Sequence, residues 1–305
     1  MILTQEQWRS LQSRHHARVQ PWIQPRLARR RLGRVHPVDD FLFDYYPYSP
    51  ARLATWHPGH GVILQGDTTP FDTRPDYRPV TGEPARSEGG VTVDVNAIGD
   101  RRSRLELVLR LLTGTRQRPG TLNCFGLHEW AMVYRLDPHR IRHADQPLRL
   151  APAAIDAAVE ELGLRCTHID AYRFFTPKAR PRNAVIPTRD SQPELEQPGC
   201  LHAGMDVYKY AMWFQPYVGS DLAADCFALA RDARALDMAA SPYDLSAFDI
   251  EPVKVETAPG RAHYVAEQRS LMQQAQSLRS RLIDTFTEIR ARLEVTVESK
   301  AAAAR

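Results

Sequence analysis

Lysine is scarce in this chain: only four of 305 residues are lysine, although lysine and arginine together number 40. Nearly all positive charge is therefore arginine, a planar and permanently charged fork rather than a titratable amine. Cysteine is equally sparse. Cys124, Cys166, Cys200 and Cys226 lie far apart with no Cys-x-x-Cys pair, which excludes a disulfide framework and a paired-cysteine zinc knuckle. Buried free thiols are the expectation. No run approaches the roughly 18 consecutive apolar residues of a membrane span, and the first residues lack the apolar stretch of a signal peptide. A cytoplasmic protein with no membrane contact is expected. No His-Glu-x-x-His or Glu-x-x-His spacing occurs, so no standard metal motif is on offer. No internal repeat is apparent.

What is present suits a soluble globular chain: 43% hydrophobic and 25% charged residues, with a net charge of +4. The length permits one large core. Charge distribution says more than the total. Residues 4–34 carry Arg9, Arg14, Arg18, Arg26, Arg29, Arg30, Arg31 and Arg34 against the single acid Glu6. Pro21 and Pro25 predict two short helices here. Arginine forks at Arg26, Arg29, Arg30, Arg31 and Arg34 could grip phosphates, making DNA a candidate partner. A solvated face, or pairing with acids elsewhere in the fold, is the alternative.

The remaining pattern is helical. Leu105, Val108, Leu109 and Leu112 recur at helical spacing over Arg101–Thr113, and helices are expected at 128–136, 152–162, from about Leu201, and at 220–238. Residues 57–100 are rich in proline and glycine, and two short strands at Gly61–Leu64 and Val91–Val95 suggest a small hairpin. The last helix, from about residue 262, places Leu271, Ala275, Leu278, Leu282, Phe286, Ile289 and Leu293 at 3.5-type spacing, which suits core packing or a homodimer seam. The predicted fold is mainly α: a single compact multi-helix domain with a β excursion near residues 60–95. Within it we distinguish a basic helical arm (1–35), a helical core (36–262) with an insertion at 57–100, and a long terminal helix (263–305).

Three segments combine histidine with a carboxylate among apolar residues: Cys124-Phe-Gly-Leu-His-Glu-Trp, Cys166-Thr-His-Ile-Asp and Cys200-Leu-His-Ala-Gly-Met-Asp. Imidazole and carboxylate together suit a borderline divalent metal such as iron, manganese or zinc, and open positions would suit oxygen chemistry. The candidate ligands are His128, Glu129, His168, Asp170, His202 and Asp206. Hydrogen-bonded core histidines are the plainer alternative. His202, Asp206 and Lys209 also share one helical face. A carboxylate beside a lysine suits glycosidic cleavage, in which the carboxylate stabilises an oxocarbenium-like transition state or the lysine attacks the sugar. Glu194 and Glu196 on the preceding turn offer the same chemistry.

The segments His36-Pro-Val-Asp-Asp-Phe-Leu-Phe-Asp-Tyr-Tyr, Cys124-Phe-Gly-Leu-His-Glu-Trp-Ala-Met-Val-Tyr-Arg, Asp170-Ala-Tyr-Arg-Phe-Phe-Thr-Pro-Lys-Ala-Arg-Pro and Gln197-Pro-Gly-Cys-Leu-His-Ala-Gly-Met-Asp-Val-Tyr-Lys occur in that order. Together they resemble a bacterial family commonly labelled 3-methyladenine DNA glycosylase. The resemblance spans about residues 4–270 and implies hydrolytic removal of alkylated purines in DNA repair. On that reading Asp206 is the catalytic carboxylate, with His202, Lys209 and Glu129 as further catalytic candidates. Two other readings stand beside it: a non-haem metal enzyme, and a non-enzymatic nucleic-acid-binding protein.

Overall fold

Thr4 opens the first helix with a capping box: its hydroxyl accepts from the Gln7 backbone, and the Gln7 side chain accepts from the Thr4 backbone. The helix, α1 (Gln5–Arg31), then runs unbroken through Pro21 and Pro25, where two short helices were expected. Packing overrides the local cost of the prolines, because Trp8, His15, Val19 and Ile23 are all buried along this helix. Its arginines turn largely inward to acids. Arg26 pairs with Asp40 and Asp44, Arg29 with Asp40, and Arg18 with Asp225. Arg30, Arg31 and Arg34 remain exposed.

The computed structural model describes residues 1–80, 89–136 and 146–303, with side chains described to residue 294. Among these residues four strands form one small sheet: β1 (Ile2–Leu3), β2 (Ile63–Leu64), β3 (Tyr77–Val80) and β4 (Gly90–Val93), in the order β1-β2-β4-β3. β1 runs parallel to β2, and the other pairings are antiparallel. The expected strand pair is thus present as β2 and β4, joined by two strands the periodicity did not indicate.

Among the described residues eleven α-helices follow α1: α2 (Phe41–Tyr45), α3 (Pro50–Ala54), α4 (Thr69–Asp72), α5 (Arg101–Gln117), α6 (Leu127–Ala131), α7 (Pro152–Leu162), α8 (Ile169–Tyr172), α9 (Gln192–Leu195), α10 (Leu201–Trp213), α11 (Ser220–Ala239) and α12 (Ala258–Ala303). The core is the stack of α10 on α11 and α12, with α5 against α12. Of the 13 residues of α10, 11 are buried, so it is apolar on nearly every side. The seam predicted on α12 is used inside the molecule: Leu271, Ala275, Leu278, Leu282, Phe286, Ile289 and Leu293 all lie in the common core. That leaves no apolar stripe from this seam to support a homodimer.

Candidate metal centre

Because α10 is enclosed, every polar group on it must find a partner. Its entry is clamped. Gly199 lies so close to the Thr121 carbonyl that a Cβ there would collide with it. The Gln197 amide oxygen accepts from Thr121 N and Gly199 N at 2.9 and 2.7 Å, and Gln268 donates to the Gly199 carbonyl at 2.6 Å. The second carrier, α6, is set by Phe125 and Gly126, both at positive φ (50° and 71°). A non-glycine residue seldom adopts that conformation, which must be stabilised by its surroundings. It delivers His128 and Glu129 into the interior.

Two groups of three side chains result. His128 from α6, His202 from α10 and Asp237 from α11 form the first; His168 before α8, Glu196 after α9 and Asp206 from α10 form the second. In each, one potential ligand atom per residue lies within 4.8 Å of the others, and all six residues are buried. The groups adjoin, since the His202 ring centroid is 4.6 Å from that of His128 and 5.4 Å from that of His168.

The close contacts are not aligned hydrogen bonds. His128 Nε2 lies 2.8 Å from Asp237 Oδ1, yet neither atom makes a hydrogen bond of good geometry. His168 Nε2 lies 3.2 Å from Glu196 Oε1 and 3.4 Å from Asp206 Oδ2, and both nitrogens of its ring are without an aligned partner. Donor atoms held about 2.1 Å from a common metal at 90–109° sit roughly 3.0–3.4 Å from each other. The spacing in the second group therefore suits convergence on a shared cation.

Supporting residues hold the carboxylates in place. Tyr46 donates to Asp206 Oδ1 at 2.8 Å, Lys209 donates to Asp206 Oδ2, and Gln192 donates to Glu196 Oε1 at 2.5 Å. Arg234 bridges Asp237 (3.2 Å) and Glu129 (2.8 Å). Burial disfavours charge at His128 and His168, but Asp237 outweighs this at the first and Asp206 with Glu196 at the second. His128 is held well above the ordinary imidazole range and His168 is raised to about 9. His202 is pushed well below that range by burial and by the neighbouring positive charges of His128 and His168. Asp206 and Asp237 stay ionised despite burial, through Lys209 and His168 at the one and His128 at the other. The result is a neutral imidazole between two cationic ones.

Four of the six ligands expected from sequence, His128, His168, His202 and Asp206, converge here. Glu129 and Asp170 stand outside both groups, because guanidinium groups claim them: Arg234 for Glu129, Arg189 and Arg173 for Asp170. Asp237 and Glu196 take the carboxylate positions instead. Of the proposed glycosidic residues, Asp206, His202 and Lys209 are close neighbours, Glu196 is buried beside them, and Glu194 is exposed. The cysteines are free thiols. Cys124, Cys166 and Cys200 line a cavity of about 20 Å³ next to His128 and His202, and burial pushes the Cys166 and Cys200 thiols up.

A second cavity, of about 90 Å³, reaches the centre at His202 and is walled by Phe41, Tyr45, Met132 and Phe174, with Glu129, Asp170 and Arg234 among them. None of the described residues of 57–100 lines either of these cavities. Among the described residues, no helix is long and apolar enough to cross a membrane. Comparison with protein-family models, curated proteins and solved structures finds no match.

Proposed function

We propose that the protein is a metal-dependent, non-haem enzyme whose centre is the pair of His–carboxylate groups on α6, α10 and α11 and beside α8 and α9. The observation that carries this reading is the set of buried, unaligned ligand atoms: His128 Nε2, Asp237 Oδ1 and His168 Nε2 meet neighbours at short range without hydrogen-bonding them. A divalent cation between the ligands would take the place of the protons that burial among these carboxylates puts on His128 and His168. The mixed imidazole and carboxylate set suits iron, manganese or zinc, and two histidines with one carboxylate is the donor set of iron-dependent oxygen chemistry.

The chain's own groups would divide the work. The three histidines and three carboxylates would hold the metal. Tyr46, Lys209, Gln192 and Arg234 would fix the orientation of the carboxylates, as outer partners of metal ligands do. His202, facing the aromatic cavity, would place a bound molecule next to the metal, which would supply Lewis-acid or redox chemistry. The glycosidic reading draws less support, because neither Asp206 nor Lys209 lines either of the two cavities beside the centre, where a sugar would have to sit.

Elemental analysis of purified, untagged protein tests the proposal. Near-stoichiometric iron, manganese or zinc is expected, with content falling at least several-fold in His202→Ala and Asp237→Ala. Protein that stays metal-free after incubation with each of these ions would overturn it.

A further inference from the structure

The residues about the aromatic cavity grade in exposure, from the buried Glu129, Arg234 and His202 through the half-buried Phe41, Tyr45 and Phe174 to the exposed Arg173 and Arg189, and this grading sets its floor and its rim. At the floor Glu129 is nine-tenths or more buried; its Oε1 accepts from Arg234, while its Oε2 and Arg234 Nε have no partner. The wall is apolar and flat. Tyr45 stacks on Phe41 with centroids 4.9 Å apart, and Phe174 faces the same space. The Arg234 guanidinium lies 3.8 Å from the Phe41 ring centroid, so the cation–π position on that ring is already filled. At the rim Asp170 is held by Arg189, and Arg173 lies over Phe174 at 4.6 Å; both arginine side chains are at least half exposed.

The rim belongs to a strongly basic stretch. Residues 165–189 hold six arginine or lysine residues and one carboxylate, Asp170, whereas the whole chain carries a net charge of only +4. All six cations are exposed. Of these, Arg189 and Arg173 both pair with Asp170, so two guanidinium groups stand against the one carboxylate that this part of the lining carries and leave a net positive charge there.

A ligand that complements this order is a donor at its inner end, flat and apolar in the middle, and an anion at its outer end. An inner anion would meet the Glu129 carboxylate, and an inner apolar group would leave Glu129 Oε2 unsatisfied. A volume of about 90 Å³ admits a small polar head and part of a ring, on a scale where about 150 Å³ holds benzene. Resting on the metal-enzyme reading, we propose that the substrate is a small aromatic acid bearing a hydroxyl or amino group remote from its carboxylate. Glu129 would read the donor and Arg189 and Arg173 the anion, with the ring held against Phe174 and Tyr45 beside His202.

Isothermal titration of the purified protein with three probes tests this. 4-Hydroxyphenylacetate has all three features, phenylacetate lacks the donor and 4-cresol lacks the anion. The complete probe should bind about tenfold or more tightly than either truncated one, the scale of a hydrogen bond to a charged group. Arg189→Ala should weaken 4-hydroxyphenylacetate severalfold and leave 4-cresol unchanged. Glu129→Gln should erase the preference over phenylacetate. If Glu129→Gln fails to fold, the three-probe ratio on the native protein decides alone. Equal affinities, or no binding of the complete probe at millimolar concentration, overturn the assignment. Metal content measured on the same samples separates the two readings. Selectivity in metal-free protein sustains the cavity assignment without the metal, and bound metal without selectivity removes the cavity assignment alone.

Discussion

Arg234 shows how much one side chain can hold together in this interior. It is almost fully buried, pairs with Glu129 and Asp237, and lies against Phe41. Removing it would leave two carboxylates in low dielectric with no guanidinium partner. Arg234→Ala should therefore cost about 3–5 kcal/mol, read as a shift in the denaturation midpoint with unchanged slope. A loss under 1 kcal/mol would mean that water reaches Glu129 and Asp237. The same residue explains what sequence could not reveal. His128, His168, His202 and Asp206 were legible because each histidine sits within four residues of a carboxylate. Asp237 has no histidine near it in sequence, and only the packing of α11 on α10, with α6 beside them, brings it to His202 and His128. Glu129 looked equally eligible, and its diversion to Arg234, 105 residues away, is a tertiary fact.

At the scale of elements, helical periodicity gave α5, α7, α11 and α12 with ends within a few residues, since each buries a stripe that repeats in the sequence, while α10, enclosed on nearly every side, begins at Leu201 as expected from the Pro-Gly turn before it. It failed at α1, where two prolines suggested a break that burial of Trp8, Val19 and Ile23 overrides. It also missed β3, which is only four residues long. The attachment of α1 has an electrostatic consequence. Burial alone would push Asp40 up, but hydrogen bonds from Arg29 and the His36 backbone more than reverse this, and its carboxyl titrates below the ordinary range. A folded pKa below the unfolded one adds stability above about pH 4, and this is lost as pH falls through the folded value. Asp40→Asn should flatten the acid limb of the stability curve and lower stability at neutral pH. An unchanged acid limb would exclude Asp40 as its source. For α12, Leu282→Ala should cost about 2–5 kcal/mol, and the effect should not vary with protein concentration, since Leu282 packs within its own chain. A concentration-dependent loss would indicate a dimer seam.

Across the whole molecule, the interior is organised by charge as much as by apolar packing. Around α10 lie the acids Glu129, Glu196, Asp206 and Asp237 and the cations Lys209, Arg234 and Arg279, all in a largely buried setting. In the metal-free protein the protons on His128 and His168 help to neutralise the carboxylates. The stripped protein should therefore be sensitive to alkali. The pKa of His168 is raised from 6.5 to about 9 by Asp206 and Glu196 against the opposing effect of burial. A raised folded pKa contributes stability in full below about pH 6.5, less between there and 9, and none above. A shift of that size corresponds to roughly 3 kcal/mol. A bound divalent cation would replace the protons as the positive partner, and binding to the folded state alone adds about 2.7 kcal/mol at a free concentration a hundred times Kd. Chelator-treated protein should thus lose stability between pH 6.5 and 9.5, while metal-loaded protein holds it over the same range. Thermal unfolding of both forms across that range is the measurement. Parallel curves would place the neutralising charge elsewhere, on Lys209 and Arg279, and would make His168 a bystander to the balance of charge in the core.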